Sequence, residues 1–222
     1  MTEKDNGLPI FTAIEDDDLP RLCGLLAQGA DVNVQNSDGN TPLILAAWLG
    51  NMESARLLLD NGAAVAMVNH GGDDALAWAA EYGHGEMVEL LLAAGANTLS
   101  PALIWACEYG HSAIVQLLVH RGAKLEYEHG IHRMTPLTAA AYTGHADTVR
   151  FLLDAGANIH SRDDAALGWA LGFRQLAVAE LLLAHGANPN GHGEEGRTFL
   201  QEAMEEGREE ETTLLKAHGA AS

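Results

Sequence analysis

One phrase returns along this chain at near-constant spacing: an apolar pair followed three residues later by Gly-Ala. It reads Leu25-Leu26 with Gly29-Ala30, Leu58-Leu59 with Gly62-Ala63, and Leu91-Leu92 with Gly95-Ala96. It continues as Leu118-Val119 with Gly122-Ala123, Leu152-Leu153 with Gly156-Ala157, Leu182-Leu183 with Gly186-Ala187, and Leu215-Lys216 with Gly219-Ala220. Successive glycines stand 33, 33, 27, 34, 30 and 33 residues apart. A unit of that length cannot close a hydrophobic core alone, so the chain is expected to fold by stacking units on one another. Seven units fill a single domain over residues 1–222, with bounds near 5–36, 37–69, 70–96, 97–126, 127–160, 161–190 and 191–222.

A second element sits upstream in each unit. It is clearest as Thr41-Pro42-Leu43 with Ala46-Ala47 and Gly50, and as Thr135-Pro136-Leu137 with Ala140-Ala141 and Gly144-His145. Threonine caps a helix, and proline fits the first turn, where the missing N–H costs nothing. Leu43, Ala46 and Ala47 share one helical face, and small alanines let neighbouring helices approach closely. Gly50 ends this first helix. The leucine-rich phrase forms a second one, closed by a left-handed glycine. The spacing therefore predicts stacked helical hairpins.

On these residues the chain resembles an ankyrin-repeat protein over essentially its full length. The resemblance implies an all-α solenoid of stacked helix-turn-helix units with short β-hairpin-like fingers, and a non-catalytic role in binding other proteins. The position of the family's histidine after Thr-Pro-Leu is held by Ile44, Ala77, Ile104, Thr138 or Gly168, while Asp74-Ala75 and Ala165-Ala166 replace Thr-Pro. His84, His111 and His145 follow the first-helix glycine, where the family uses histidine to open the second helix. The outer units read as caps. Unit one carries Glu15-Asp16-Asp17-Asp18 before Leu19-Pro20, and unit seven carries the run Glu209-Glu210-Glu211, expected to form a solvated face.

Charge narrows the function. Asp and Glu number 31 against 12 Lys and Arg, a formal charge of −19. Polyanionic nucleic acid and anionic membrane surfaces demand the opposite sign. The first twenty residues carry no secretory pattern, and no apolar run approaches a bilayer span. Cys23 and Cys107 lie three units apart, too far for a disulfide, so both are expected as free thiols. Cytoplasmic placement and a monomer follow as expectations. So does binding to a basic protein partner.

Several motifs fail on inspection. Gly191-His192-Gly193-Glu194-Glu195-Gly196 spells a dinucleotide fingerprint, but its two glutamates would repel pyrophosphate. Asp31, Asn33, Gln35 and Asp38-Gly39 hint at a calcium loop. Asn36 and Pro42 occupy the positions that need glycine and glutamate. Among eleven histidines, only His129, His132 and His160 lack a repeat explanation, which leaves a histidine-based metalloenzyme as the reading from another class. No catalytic motif is present, and no cofactor or metal is expected.

One stripe rises above this background. The residues just before the first-helix glycine are Trp48-Leu49, Glu81-Tyr82, Glu108-Tyr109, Tyr142-Thr143 and Gly172-Phe173. Three residues earlier stand Leu45, Trp78, Trp105, Ala139 and Trp169. Eight of the twelve aromatics thus fall on one line over units two to six. The rings either pack beneath the fingers or face a partner; Tyr82 and Tyr109 hold a position that the family keeps outside the core. Only eight steps separate Gly95 from Leu103, against fourteen from Gly62 to Leu76, so with helix lengths unchanged a finger is missing there. Its loss should uncover the duplicated patches Trp78/Glu81/Tyr82 and Trp105/Glu108/Tyr109. The expected concave binding face comprises Trp48, Trp78, Glu81, Tyr82, Trp105, Glu108, Tyr109, Tyr142, Trp169 and Phe173. Rings would set affinity, while Glu81, Glu108, Asp73 and Asp74 would select a cationic partner. Within that class, an acidic inhibitor of a basic toxin or nuclease, or a methyl-lysine reader, are the sharper alternatives.

Overall fold

The computed structural model describes residues 9–193 and 196–221. Along them run fourteen α-helices in consecutive pairs: α1 (Pro9–Glu15) with α2 (Leu19–Ala27), α3 (Pro42–Leu49) with α4 (Met52–Asp60), and α5 (Ala75–Glu81) with α6 (Gly85–Ala93). Then come α7 (Leu99–Glu108) with α8 (Ser112–His120), α9 (Pro136–Thr143) with α10 (Ala146–Asp154), α11 (Ala165–Gly172) with α12 (Leu176–Ala184), and α13 (Phe199–Glu205) with α14 (Glu209–Ala217). Among the described residues there is no named strand; the fingers contribute isolated antiparallel bridges, His129 to Met134 and His192 to Thr198. The all-α stack of helix-turn-helix units is the architecture that the repeat implies.

The chain divides into two compact units, one up to Ala106 and one from Cys107. In the first, α3 packs on α1, α4 and α5, while α2, α4 and α6 follow one another. In the second, α9 packs on α10 and α11, α11 on α12, and α13 on α14. Six second helices bury one phrase leucine completely, Leu58 and Leu91 in the first unit and Leu118, Leu152, Leu182 and Leu215 in the second, while α2 buries Leu22, three residues ahead of its phrase. Full burial of such a side chain stabilises by about 1.5–3 kcal/mol. The alanine pairs Ala46-Ala47, Ala79-Ala80 and Ala140-Ala141 are also fully buried and set the close approach of the first helices.

The caps follow from the sequence chemistry. Thr41 Oγ1 accepts the Ile44 N–H at 3.2 Å. In unit five Thr138 takes over the family histidine's place: the Thr135 N–H donates to Thr138 Oγ1 at 2.6 Å, and the Thr138 N–H returns to Thr135 Oγ1. Asp74 caps α5 by accepting from the Ala77 N–H at 3.0 Å.

A side chain at the head of five of the second helices locks one repeat to the one before it. Asn51 donates to the Ile14 carbonyl, His84 to Trp48, His145 to Glu108, Gln175 to Tyr142 and Arg208 to Leu171, at 2.8–3.4 Å. Each of these carbonyls lies at the end of a first helix, where intrahelical partners have run out. The same contact explains the first-helix glycine. At Gly50 (φ 74°) a Cβ would stand 2.7 Å from the His84 ring, and at Gly110 (φ 73°) 2.5 Å from the His145 ring.

Two expectations need correction. Helix lengths are not unchanged in unit four: α7 has ten residues, against seven or eight in the other first helices, because Leu99 and Ser100 wind into helix ahead of Pro101. Proline is tolerated there because it lies in the first turn. The run Glu209-Glu210-Glu211 is not uniformly solvated either. Glu211 is 1% exposed, at the core position of Val178 and Ile114, and Arg208 lies 3.3 Å from it. In unit six, where Ala165-Ala166 replace Thr-Pro, α11 starts without a capping side chain, after three consecutive left-handed residues, Arg162, Asp163 and Asp164. The Asp164 carboxylate is spent instead on the Asn188 N–H and His160 Nδ1, both at 3.0 Å.

Candidate functional site

The rings at the ends of the first helices gather into clusters. Successive turns of a helix put residues i and i+4 on one face, which pairs Trp78 with Tyr82 on α5 and Trp169 with Phe173 on α11. In the first unit Trp78 and Tyr82 stack at 6.0 Å, and Trp48 from the preceding repeat meets them at 5.8 and 6.0 Å. In the second unit Trp169 and Phe173 stack at 5.7 Å, and Tyr142 meets them edge-on at 5.7 and 4.3 Å. The chain builds the same trio twice.

Exposure separates anchors from packing. Tyr82, Tyr109 and Phe173 are 46%, 49% and 49% exposed, whereas all four tryptophans are half-buried. Trp105 Nε1 donates to Asp73 Oδ1 at 3.1 Å. Trp78 Nε1 is buried without an acceptor among the described residues.

The acidic residues behave unequally. Glu81 and Glu108 are half-buried, and burial raises the Glu108 carboxyl above the usual range, an effect that His129 partly offsets. Asp74 cannot meet a partner, contrary to the sequence expectation. It is 2% exposed, committed to capping α5, and bonded by the Thr98 hydroxyl. Asp73 is half-buried and engaged with Trp105.

Each trio borders a groove beneath the fingers. The first unit's groove, about 610 Å³, is lined by Trp48, Trp78 and Tyr82 with Asp38, Asn40 and Asn69 on the finger side. The second unit's, about 700 Å³, sets Trp169, Phe173 and Phe199 against His132, Arg162 and Arg197, with Asp163, Glu202 and Glu206 also lining it. Fingertip Ile131 stands 92% exposed at its rim. The sequence singles out Asp38 and His132 only as candidate metal ligands and misses the other finger residues, because a variable finger carries no periodic signal.

The remaining candidates disperse. His160 bonds Asp164, His132 stands edge-on to Trp169 at 5.8 Å, and His129 lies 6.5 Å from Tyr127. Among the described residues no group of three or more His, Cys, Asp or Glu could hold a metal ion. Asp31 Oδ1 accepts the Asn33 N–H, and Asn33 bridges to Gly62 and Ala64 of the next finger, so this segment builds fingers. Glu194 and Glu195 of the glycine motif lie outside the described residues, while Gly193 donates to the Arg197 carbonyl in a turn. Cys23 is an exposed free thiol. Cys107 is buried in an alanine slot, and burial pushes its thiol pKa well up. No helix among the described residues is long and apolar enough to cross a membrane.

Comparison with known proteins agrees with this geometry. A family model described as ankyrin repeats (3 copies) matches residues 10–101 and 100–163. The ankyrin repeat protein YahD of Escherichia coli (strain K12) is 37% identical over 94 residues, covering 38% of this chain and 46% of YahD. The chain thus spans less than half the length of that relative. The crystal structure of the human ASB11 ankyrin repeat domain superposes with a TM-score of 0.84 at 26% identity, covering 97% of this chain and 99% of that one. Such repeats are protein–protein interaction modules and generally non-catalytic scaffolds. Paired helices, glycine-locked junctions and matched residues lead to one conclusion: the chain belongs to the ankyrin-repeat family.

Proposed function

We propose that this protein is a non-catalytic, monomeric, cytoplasmic binding module. It grips a basic protein partner through the aromatic and acidic faces of its first helices. Trp48, Trp78, Glu81, Tyr82 and Trp105 form that face in one unit, and Glu108, Tyr109, Tyr142, Trp169 and Phe173 in the other. The observation that carries the reading is the exposure of Tyr82, Tyr109 and Phe173 at one repeat position, on a chain of net charge −19. Large rings held by a rigid scaffold expose apolar area at little entropic cost. Anchors of this kind dominate interface energetics, about 2 kcal/mol or more each on truncation. Surrounding carboxylates speed encounter with a cationic surface and reject nucleic acid and anionic lipid.

The test is affinity capture from native lysate with the wild type and with Tyr82→Ala/Tyr109→Ala. Both side chains are exposed, so the double variant should keep its circular dichroism and melting temperature. Capture should fall by at least tenfold, and wild-type capture should weaken as salt rises. Undiminished capture by the double variant would move the binding surface elsewhere.

A further inference from the structure

We infer that the groove of the first unit, between Asp38 on its finger and the trio Trp48, Trp78 and Tyr82, is a seat for one arginine side chain of the partner. The inference rests on the reading of a basic partner and assigns the residue that enters.

The duplicated trio supplies the argument. Counted back from the helix-capping threonine, Asp38 precedes Thr41 by three residues, and His132 precedes Thr135 by three. They are the same finger position, and the residue after each turns left-handed, Gly39 at φ 79° and Arg133 at φ 50°. In the second unit that position meets the trio from within: His132 lies edge-on to Trp169, and Arg162 lines the same groove while donating to the His132 carbonyl. The second trio is thus served by an imidazole and a guanidinium of its own chain. In the first unit the position bears a carboxylate. His70 also lines that groove, its backbone N–H donating to the Asp38 carbonyl, so what the first groove lacks is the guanidinium: neither lysine nor arginine lines it, and the Asp38 carboxylate is exposed with no side-chain partner among the described residues. A cation from outside completes the first site as the chain's own groups complete the second.

Arginine fits better than lysine on two counts. Its planar guanidinium stacks on an indole face, and its fork of donors meets a carboxylate at two points; an ammonium is a hydrated point charge. The amides Asn40 and Asn69 hold the finger wall in place, Asn69 Nδ2 donating to Asn40 Oδ1 at 3.0 Å. The groove volume, about 610 Å³, exceeds what one side chain needs, leaving room for the flanking peptide backbone.

The test titrates the full chain calorimetrically with four soluble twelve-residue peptides. Each alternates glycine with arginine, lysine, dimethyl-lysine or uncharged citrulline. The arginine peptide should bind at least fivefold tighter than the lysine and dimethyl-lysine peptides, and the citrulline peptide should not bind. Asp38→Asn, a change at an exposed fingertip, should remove most of the arginine preference, and Trp48→Ala should cut affinity at least tenfold. Tight citrulline binding, a dimethyl-lysine preference, or an arginine preference unchanged in Asp38→Asn would each overturn the seat. Equal binding of the arginine and lysine peptides that falls in Tyr82→Ala/Tyr109→Ala would overturn the seat and leave the basic-partner reading standing. Failure of every peptide to bind would overturn both.

Discussion

Asp74 shows how one substitution in a repeat motif changes what a residue can do. Where units two, five and seven place threonine, it caps α5 from a position 2% exposed, accepting from the Ala77 N–H and the Thr98 hydroxyl. Burial raises its carboxyl above the ordinary 3.8, those hydrogen bonds lower it in part, and the neighbouring Asp73 charge raises it slightly. The native state therefore holds this proton more tightly than the unfolded chain does. The contribution to stability is fully present below about pH 3.8 and is lost as pH rises through the raised value. At neutral pH the charge is a cost. Asp74→Asn keeps an acceptor for Ala77 and offers its amide to the Thr98 oxygen, without the charge. The variant should be more stable than the wild type at pH 7 in urea melts, with the gap closing as pH falls toward 4. A variant less stable by the same margin at every pH would contradict this account. The sequence puts Asp74 in the capping threonine's slot, yet on sequence alone Asp73 and Asp74 are both expected to select a cationic partner. Only packing separates the half-buried partner of Trp105 from the buried cap.

At the scale of the helical pair, the recurring glycine and histidine are one device. The glycine ends a first helix in the left-handed region, and the next unit's side chain lies on the space its missing Cβ leaves. Gly156, which closes α10, shares the conformation (φ 94°) but has nothing within 4 Å of an added Cβ; Gly110 has the His145 ring at 2.5 Å. Gly156→Ala should cost only left-handed strain, about 1–2 kcal/mol. Gly110→Ala should cost that plus the displaced ring and its bond to the Glu108 carbonyl, about 1–3 kcal/mol more. Adding His145→Ala to Gly110→Ala should then be cheaper than the sum of the two, a coupling that denaturant melts of the four proteins would resolve. Equal costs for the two glycine variants would show that the junction is not locked. This layer was legible beforehand, since period, caps and glycine spacing are local chemistry repeated seven times. What escaped lay where a unit departs from the repeat. Ten residues wound into α7 because the finger was gone, and Glu211 turned inward because Arg208 and Arg174 converge on it at 3.3 and 3.6 Å.

Charge acts on the molecule as a whole. With 31 acidic residues against 12 basic ones, the net charge is −19. Several of the few cations are already committed: Arg133 to Glu128, Arg197 to Glu205, and Arg208 and Arg174 to Glu211. The carboxylates left over repel one another in the folded chain more than in the expanded one. Salt screens this repulsion, since the Debye length shrinks from about 30 Å at roughly 0.01 M to about 8 Å at roughly 0.15 M. Sodium chloride over that range should therefore raise the melting temperature at pH 7. A relief of the order of 1 kcal/mol corresponds to about 2–4 °C for a chain of this size. Near the sequence pI of 4.7 the net charge vanishes, and the same addition should change little. The control matters because salt also strengthens apolar burial, an effect that does not depend on net charge. A rise of equal size at both pH values would assign the stabilisation to burial, whereas a rise confined to pH 7 would assign it to the carboxylates. The same unbalanced charge would then attract a cationic partner and oppose the compact state, and binding such a partner should raise the melting temperature most where salt is lowest.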